Sequence, residues 1–120
     1  IQALYQSYTE AADETEPMLY KFSGFYPNEN YNVLLHFAET VHDAVYGRQF
    51  SVYVNNNVNA VLKNYDIFNK AGGKNIAVVE QLSVMSDVYG KLDFKFDSII
   101  GKACVSGIEI ISERGTSNIV

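Results

Sequence analysis

From residue 18 onward apolar residues recur at every second position, and only extended chain with one face turned inward satisfies a repeat of two. Met18-Leu19-Tyr20-Lys21-Phe22 opens the series and Ser23-Gly24 stops it. Tyr31, Val33, Leu35 and Phe37 then point one way while Asn32, Leu34, His36 and Ala38 point the other. The second face is largely apolar too, which predicts a central strand covered on both sides. Phe50, Val52 and Val54 alternate with Ser51, Tyr53 and Asn55, and the run ends in Asn55-Asn56-Asn57, a residue type that tolerates the left-handed backbone of tight turns. Val58 to Leu62 is the expected return strand.

Residues 64–75 break the pattern, with Ala71-Gly72-Gly73-Lys74 read as a loop. Ile76 to Met85 follows, then a turn around Asp87 and Gly90. Leu92, Phe94 and Phe96 alternate with Asp93, Lys95 and Asp97, and Cys104 to Ile111 completes the set. Short strands separated by turn signals, with no helical stretch between them, predict an all-β antiparallel sandwich. Only residues 7–16 read as helical, and Pro17 would end that helix.

The 120 residues match the size of one domain, residues 1–120. A hydrophobic share of 48% with 2 Pro and 8 Gly excludes disordered and collagen-like chains. No apolar run approaches the roughly 18 residues of a membrane span, so no membrane contact is expected. The start at Ile1 predicts an excerpt whose N-terminal edge is shortened. The net charge of −5 is uneven: residues 1–60 hold 7 acids and 2 bases, residues 61–120 hold 7 of each. Glu10, Asp13, Glu14 and Glu16 form the densest cluster and read as a solvated loop. Scattered single bases argue against nucleic acid as a partner.

Candidate chemistry is sparse. Cys104, the one cysteine of the sequence, cannot make an internal disulfide, lies in an apolar run and reads as a buried small hydrophobe. No Cys–His grouping has zinc spacing, so neither metal nor cofactor is expected. A single thiol and the absence of any Asn-x-Ser/Thr sequon are compatible with a cytosolic setting. His36 lies mid-strand and reads as a core histidine. His42 adjoins Asp43 in the loop from Glu39 to Gly47, yet no Ser or Cys occupies a nucleophile turn. Gly72-Gly73-Lys74 lacks the frame of a phosphate loop and reads as a plain turn. No catalytic residue is assigned.

Several segments in order resemble the malectin and malectin-like family. Tyr31-Asn32-Val33-Leu34-Leu35-His36-Phe37-Ala38-Glu39 is similar to its strand ending in Phe-Ala-Glu, and Ala3-Leu4-Tyr5-Gln6 to its Leu-Tyr-Gln-Thr segment. Gly47 to Asn55, Asp66 to Gly73, Gly90 to Phe96 and Val105 to Ile110 resemble later landmarks. The resemblance implies a jelly-roll-like sandwich of about 7–9 strands that binds a glucose-containing or related oligosaccharide without catalysis. It also implies membership of a larger protein, in the endoplasmic reticulum, a receptor ectodomain or a cytosolic motor.

The family's aromatic pair after Phe-Ala-Glu corresponds to Val41 and His42 here. Its tyrosine after Leu-Tyr-Gln falls near Glu10, with Tyr8 close by; its late aspartate falls near Gly101, with Asp97 the nearest acid. A sugar needs aromatic faces together with planar polar partners on loops. The resulting candidate ligand residues are Tyr8, His42, Asp43, Tyr46 and Asp97. Glu39 is expected to hold loop backbone, and Tyr5 to pack. The alternative function is a protein-interaction or structural module that has lost the sugar site, with the acidic 10–16 segment as its contact.

Overall fold

The computed structural model describes residues 9–112 and 117–119. The described strands are β1 (Thr9–Glu10), β2 (Met18–Phe22), β3 (Asn30–Ala38), β4 (Gln49–Val54), β5 (Leu62–Tyr65), β6 (Ala77–Met85), β7 (Leu92–Ile100), β8 (Cys104–Val105), β9 (Gly107–Ser112) and β10 (Ser117–Ile119), with one short helix, α1 (Ile67–Ala71). They make two four-stranded antiparallel sheets, β10-β9-β3-β6 and β2-β7-β4-β5, and a small β1-β8 pair. Most connections step from one sheet to the other, giving the sandwich that the alternating pattern requires.

Inward side chains of the two sheets form one core. Val33, Leu35, Phe37, Phe50, Val52, Phe94 and Phe96 are essentially inaccessible. Phe37 from one sheet meets Phe50 and Tyr65 from the other at centroid distances of 5.6 and 5.0 Å, the range of favourable ring contacts. Tyr65 also donates its hydroxyl to Glu80 Oε2 on β6 at 2.7 Å, tying the sheets together. Burial, then the Glu80 carboxylate, pushes that phenol's pKa well up.

Strand β3 is central, paired with β6 along its whole length and with β9 from Tyr31 to His36. Its inward face is fully buried, while Asn32, Leu34 and Ala38 on the outer face are half-buried. His36 on that outer face is buried as a sheet histidine, with Nε2 at 3.7 Å from Glu109 Oε1. Cys104 is buried, as its apolar surroundings predict.

Three sequence expectations are corrected. Within residues 9–16 there is no helix: Thr9–Glu10 pair with Val105 and Cys104, and Asp13 Oδ1 accepts from Thr15 N, Thr15 Oγ1 and Glu16 N at 2.7, 2.7 and 2.9 Å. An aspartate that satisfies the following N–H groups itself stops the helix from starting. The return strand begins at Leu62 rather than Val58, which is 89% exposed. The asparagine-rich turn runs longer than a two-residue hairpin, with Asn55 at φ 54.

The third correction is helix α1, inside the segment read as loop. Asp66 caps its start by accepting from Asn69 N, and Gly72, at φ 86, closes it with its N–H bonded to Phe68 O. Gly72 and Gly73 therefore end a helix rather than cradle a phosphate. At the β6–β7 turn Gly90 has φ 71, and a Cβ there would lie 2.1 Å from Phe25 O. Only glycine fits that crossing.

Candidate functional site

The loop from Glu39 to Arg48 leaves β3 and enters β4, and a buried ion pair closes it. Arg48 Nε meets Glu39 Oε1 at 2.8 Å and Nη2 meets Oε2 at 3.1 Å, with both side chains 1% exposed. A forked pair of this kind satisfies a guanidinium that would otherwise be costly to bury. Glu39 Oε2 also accepts from the N–H groups of Val41 and His42, each at 3.2 Å. Burial pushes the Glu39 carboxyl up, but the bonds from Arg48, His42 and Val41 outweigh it and hold the group below its ordinary value. The expected backbone role of Glu39 is present, and Arg48 is its larger partner.

Arg48 reaches further. Its Nη1 donates to Glu10 Oε2 at 2.9 Å and to the carbonyl of Lys102. Glu10 is thus set apart from the solvated acids Asp13, Glu14 and Glu16, which are exposed. One guanidinium joins the end of β1, the loop after β3 and the turn before β8. Those are the segments onto which the sequence resemblance maps a sugar site, at Glu10, Val41–His42 and Gly101. Gly101 itself, at φ 67, sits against Gly47, where a Cβ would lie 2.8 Å from the carbonyl oxygen.

The candidate ligand residues divide. Tyr8 lies outside the described residues. His42 is half-buried and folds over Gly47, where an added Cβ would meet the imidazole at 2.7 Å. Asp43 is 84% exposed and pairs with Lys74 Nζ at 3.2 Å. Val41, in place of an aromatic ring, is 54% exposed. Tyr46 is 70% exposed in a left-handed backbone, φ 64. Its N–H donates to Asp66 Oδ2 at 2.7 Å, so the carboxylate that caps α1 also anchors this loop.

Tyr46 borders a cavity of about 290 Å³ whose other walls include Gln49, Lys63, Asn64, Asp66, Asn69 and Lys70. His42 and Asp43 do not line it. Asp97 is elsewhere, on the outer face of the β2-β7-β4-β5 sheet, in a larger groove of about 570 Å³ that includes Tyr53, Asp93 and Lys95. The sequence reading missed Arg48 and Asp66 as organisers. Each had a signal: Arg48 is one of two bases in the first 60 residues and precedes an apolar strand, while Asp66 stands where a capping residue belongs, six residues before Gly72. Among the described residues no group of three or more His, Cys, Asp or Glu side chains could hold a metal ion, and no helix is long and apolar enough to cross a membrane.

Comparison with known proteins adds a third line of observation. The family model of the malectin domain matches residues 2–118. A probable receptor-like protein kinase of Arabidopsis thaliana is 34% identical over 124 residues, covering 98% of this chain and 14% of that protein. The chain therefore spans about one-seventh of that relative's length. Among solved structures, the ANX2 ectodomain of Arabidopsis thaliana superposes with a TM-score of 0.70 at 18% identity, covering 88% of this chain and 29% of that one. A chain from the complex of the plant peptide RALF23 with FER and LLG2 gives 0.70 at 18% identity, covering 81% and 27%. A β-glucuronidase of Bacteroides uniformis gives 0.65 at 20% identity, covering 77% of this chain but 10% of the enzyme. These structural likenesses concern the fold.

Proposed function

The chain belongs to the malectin domain family, and from that membership we propose that it is a non-catalytic recognition module that binds carbohydrate beside the loop after β3. The observation that carries this reading is Tyr46. An exposed phenol ring, anchored through its backbone to Asp66, stands over a cavity walled by amide, ammonium and carboxylate groups. Such a ring offers a stacking face, and the polar walls offer donors and acceptors to ring hydroxyls. His42 supports the loop from inside by packing on Gly47, and Asp43 braces its outer side through Lys74. Tyr8 and Asp97 remain in the proposal as further contacts, Asp97 at the separate groove.

Titration with gluco-oligosaccharides, or display on a glycan array, tests the proposal. Saturable binding that falls at least tenfold in Tyr46→Ala, and less in His42→Ala, is expected. A folded chain that binds no sugar at millimolar concentration would overturn it.

A second reading has its own support. Receptor ectodomain relatives and the RALF23 complex favour a protein or peptide partner, and Asp13, Glu14 and Glu16 project into solvent near β1. Glu10 does not belong with them, because its carboxylate is occupied by Arg48. Capture of a basic peptide that is lost when Asp13, Glu14 and Glu16 are changed to Asn or Gln would establish this role; capture unchanged by those substitutions would remove it.

A further inference from the structure

A cavity larger than the one beside Tyr46 lies away from that loop. It is the groove on the outer face of the β2-β7-β4-β5 sheet, and we infer that it is a second ligand site, one that takes an extended, uncharged, polyhydroxylated chain such as a neutral oligosaccharide. Its floor follows from the strand pleat. Asp93, Lys95 and Asp97 alternate outward along β7, about 7 Å apart, while Leu92, Phe94 and Phe96 turn into the core. Strand β4 sets Tyr53 opposite Lys95, and β2 sets Leu19 opposite Lys95 and Lys21 opposite Asp93.

The charges are the first argument. Two lysines and two aspartates leave the groove with no net charge, so it has no field to select an anionic or cationic polymer. Lys21 and Asp93 face each other across the strands, yet none of the ion pairs among the described residues involves Lys21, Asp93, Lys95 or Asp97. The carboxylates are half-buried and their oxygens accept no hydrogen bond among the described residues; they remain open as acceptors for hydroxyls.

The ring is the second argument. Lys95 Nζ stands 4.8 Å from the centroid of Tyr53 and fixes the half-buried ring against the sheet. One face is thereby occupied, and the edge and hydroxyl remain for a ligand. Leu19, 56% exposed, and Val58, 89% exposed, add apolar surface at two sides for the C–H faces of sugar rings. Asn55 holds the end of the groove in shape, since its Oδ1 accepts from Asp93 N at 2.9 Å and its Nδ2 donates to Met85 O at 3.2 Å. A volume of about 570 Å³ is within the usual range for small-ligand sites.

The probes are cellohexaose and laminarihexaose, titrated into the 120-residue chain and followed through its backbone amide shifts. At least one hexaose should shift Tyr53, Asp93, Lys95 and Asp97. The affinity read from those groove shifts should fall at least tenfold in Tyr53→Ala and at least threefold in Asp97→Asn. Asp97→Asn keeps the side-chain shape and guards against a fold defect in Tyr53→Ala. Shifts confined to residues 45–70 would overturn this inference while supporting the Tyr46 site. Absence of groove shifts at millimolar hexaose, or tighter binding of polygalacturonate than of either hexaose, would overturn it as well.

Discussion

Arg48 and Lys95 are both cations on a β-sandwich, and the chain uses them in opposite ways. Arg48 is sealed, with carboxylates from Glu39 and Glu10 and a backbone carbonyl around it. Lys95 is exposed, leaning on Tyr53 beside aspartates that have no ion-pair partner among the described residues. The sealed cluster does the work of joining three loops, so its groups are unavailable to a ligand. The open one stabilises little, and its groups are free to bind.

The largest expected effect is therefore at Arg48. Glu39→Gln leaves a buried guanidinium short of charge and should cost about 3 kcal/mol in urea unfolding; a loss no greater than that of a surface substitution would show that Glu10 alone suffices. The same cluster should respond to acid. The folded pKa of Glu39 is depressed, so its stabilisation is complete above the unfolded value of roughly 4.3 and is lost as pH falls through the folded one. The difference in stability between the parent and Glu39→Gln should shrink steadily below about pH 4, as read by thermal melts.

Next comes Gly101→Ala, which combines a left-handed backbone with a Cβ 2.8 Å from Gly47 O. A loss of about 1–2 kcal/mol is expected, together with weakened binding at Tyr46 if the loops move as one. At the open cluster, Lys21→Gln and Asp97→Asn should change stability by less than about 0.5 kcal/mol while altering hexaose affinity. Lys95→Met is of the same small order, since it removes the cation above Tyr53, a contact worth about 0.5 kcal/mol at an exposed site. A larger loss in chemical denaturation would mean that the groove is held as tightly as the Arg48 end, and the contrast between the two would fail.

The strands were legible because burial on one face imposes a period of two that a reader can count. Met18–Phe22 agrees residue for residue, and β3, β4, β6 and β7 begin within a residue or two of the expected strands, while the single strand expected from Cys104 to Ile111 is split into β8 and β9, which pair in different sheets. The family was legible in ordered short segments, above all Phe37-Ala38-Glu39. Helix α1 was hidden because a single turn of five residues carries no full period, although its cap Asp66 and its stop Gly72 were both in view. The strand at Thr9–Glu10 was hidden because two residues have no period at all, and its partner is nearly 100 residues away.

The candidate site was legible as residue types and not as an arrangement. Sequence proximity gathered His42, Asp43 and Tyr46, yet of the three only Tyr46 lines the cavity beside α1. Asp97 was grouped with them through a loop correspondence, whereas the pleat of β7 turns it onto a sheet face. Glu10 was counted with its acidic neighbours, but its role depends on an arginine 38 positions later.

What the sequence determined by itself is whatever is written locally: which residues alternate, where turns must fall, which family's landmarks recur, and that the excess charge lies in the first half. The tertiary structure alone decided which charges are enclosed and which stay open. Enclosure depends on groups contributed by segments far apart in the chain, and a buried charge is tolerable only where those groups meet it.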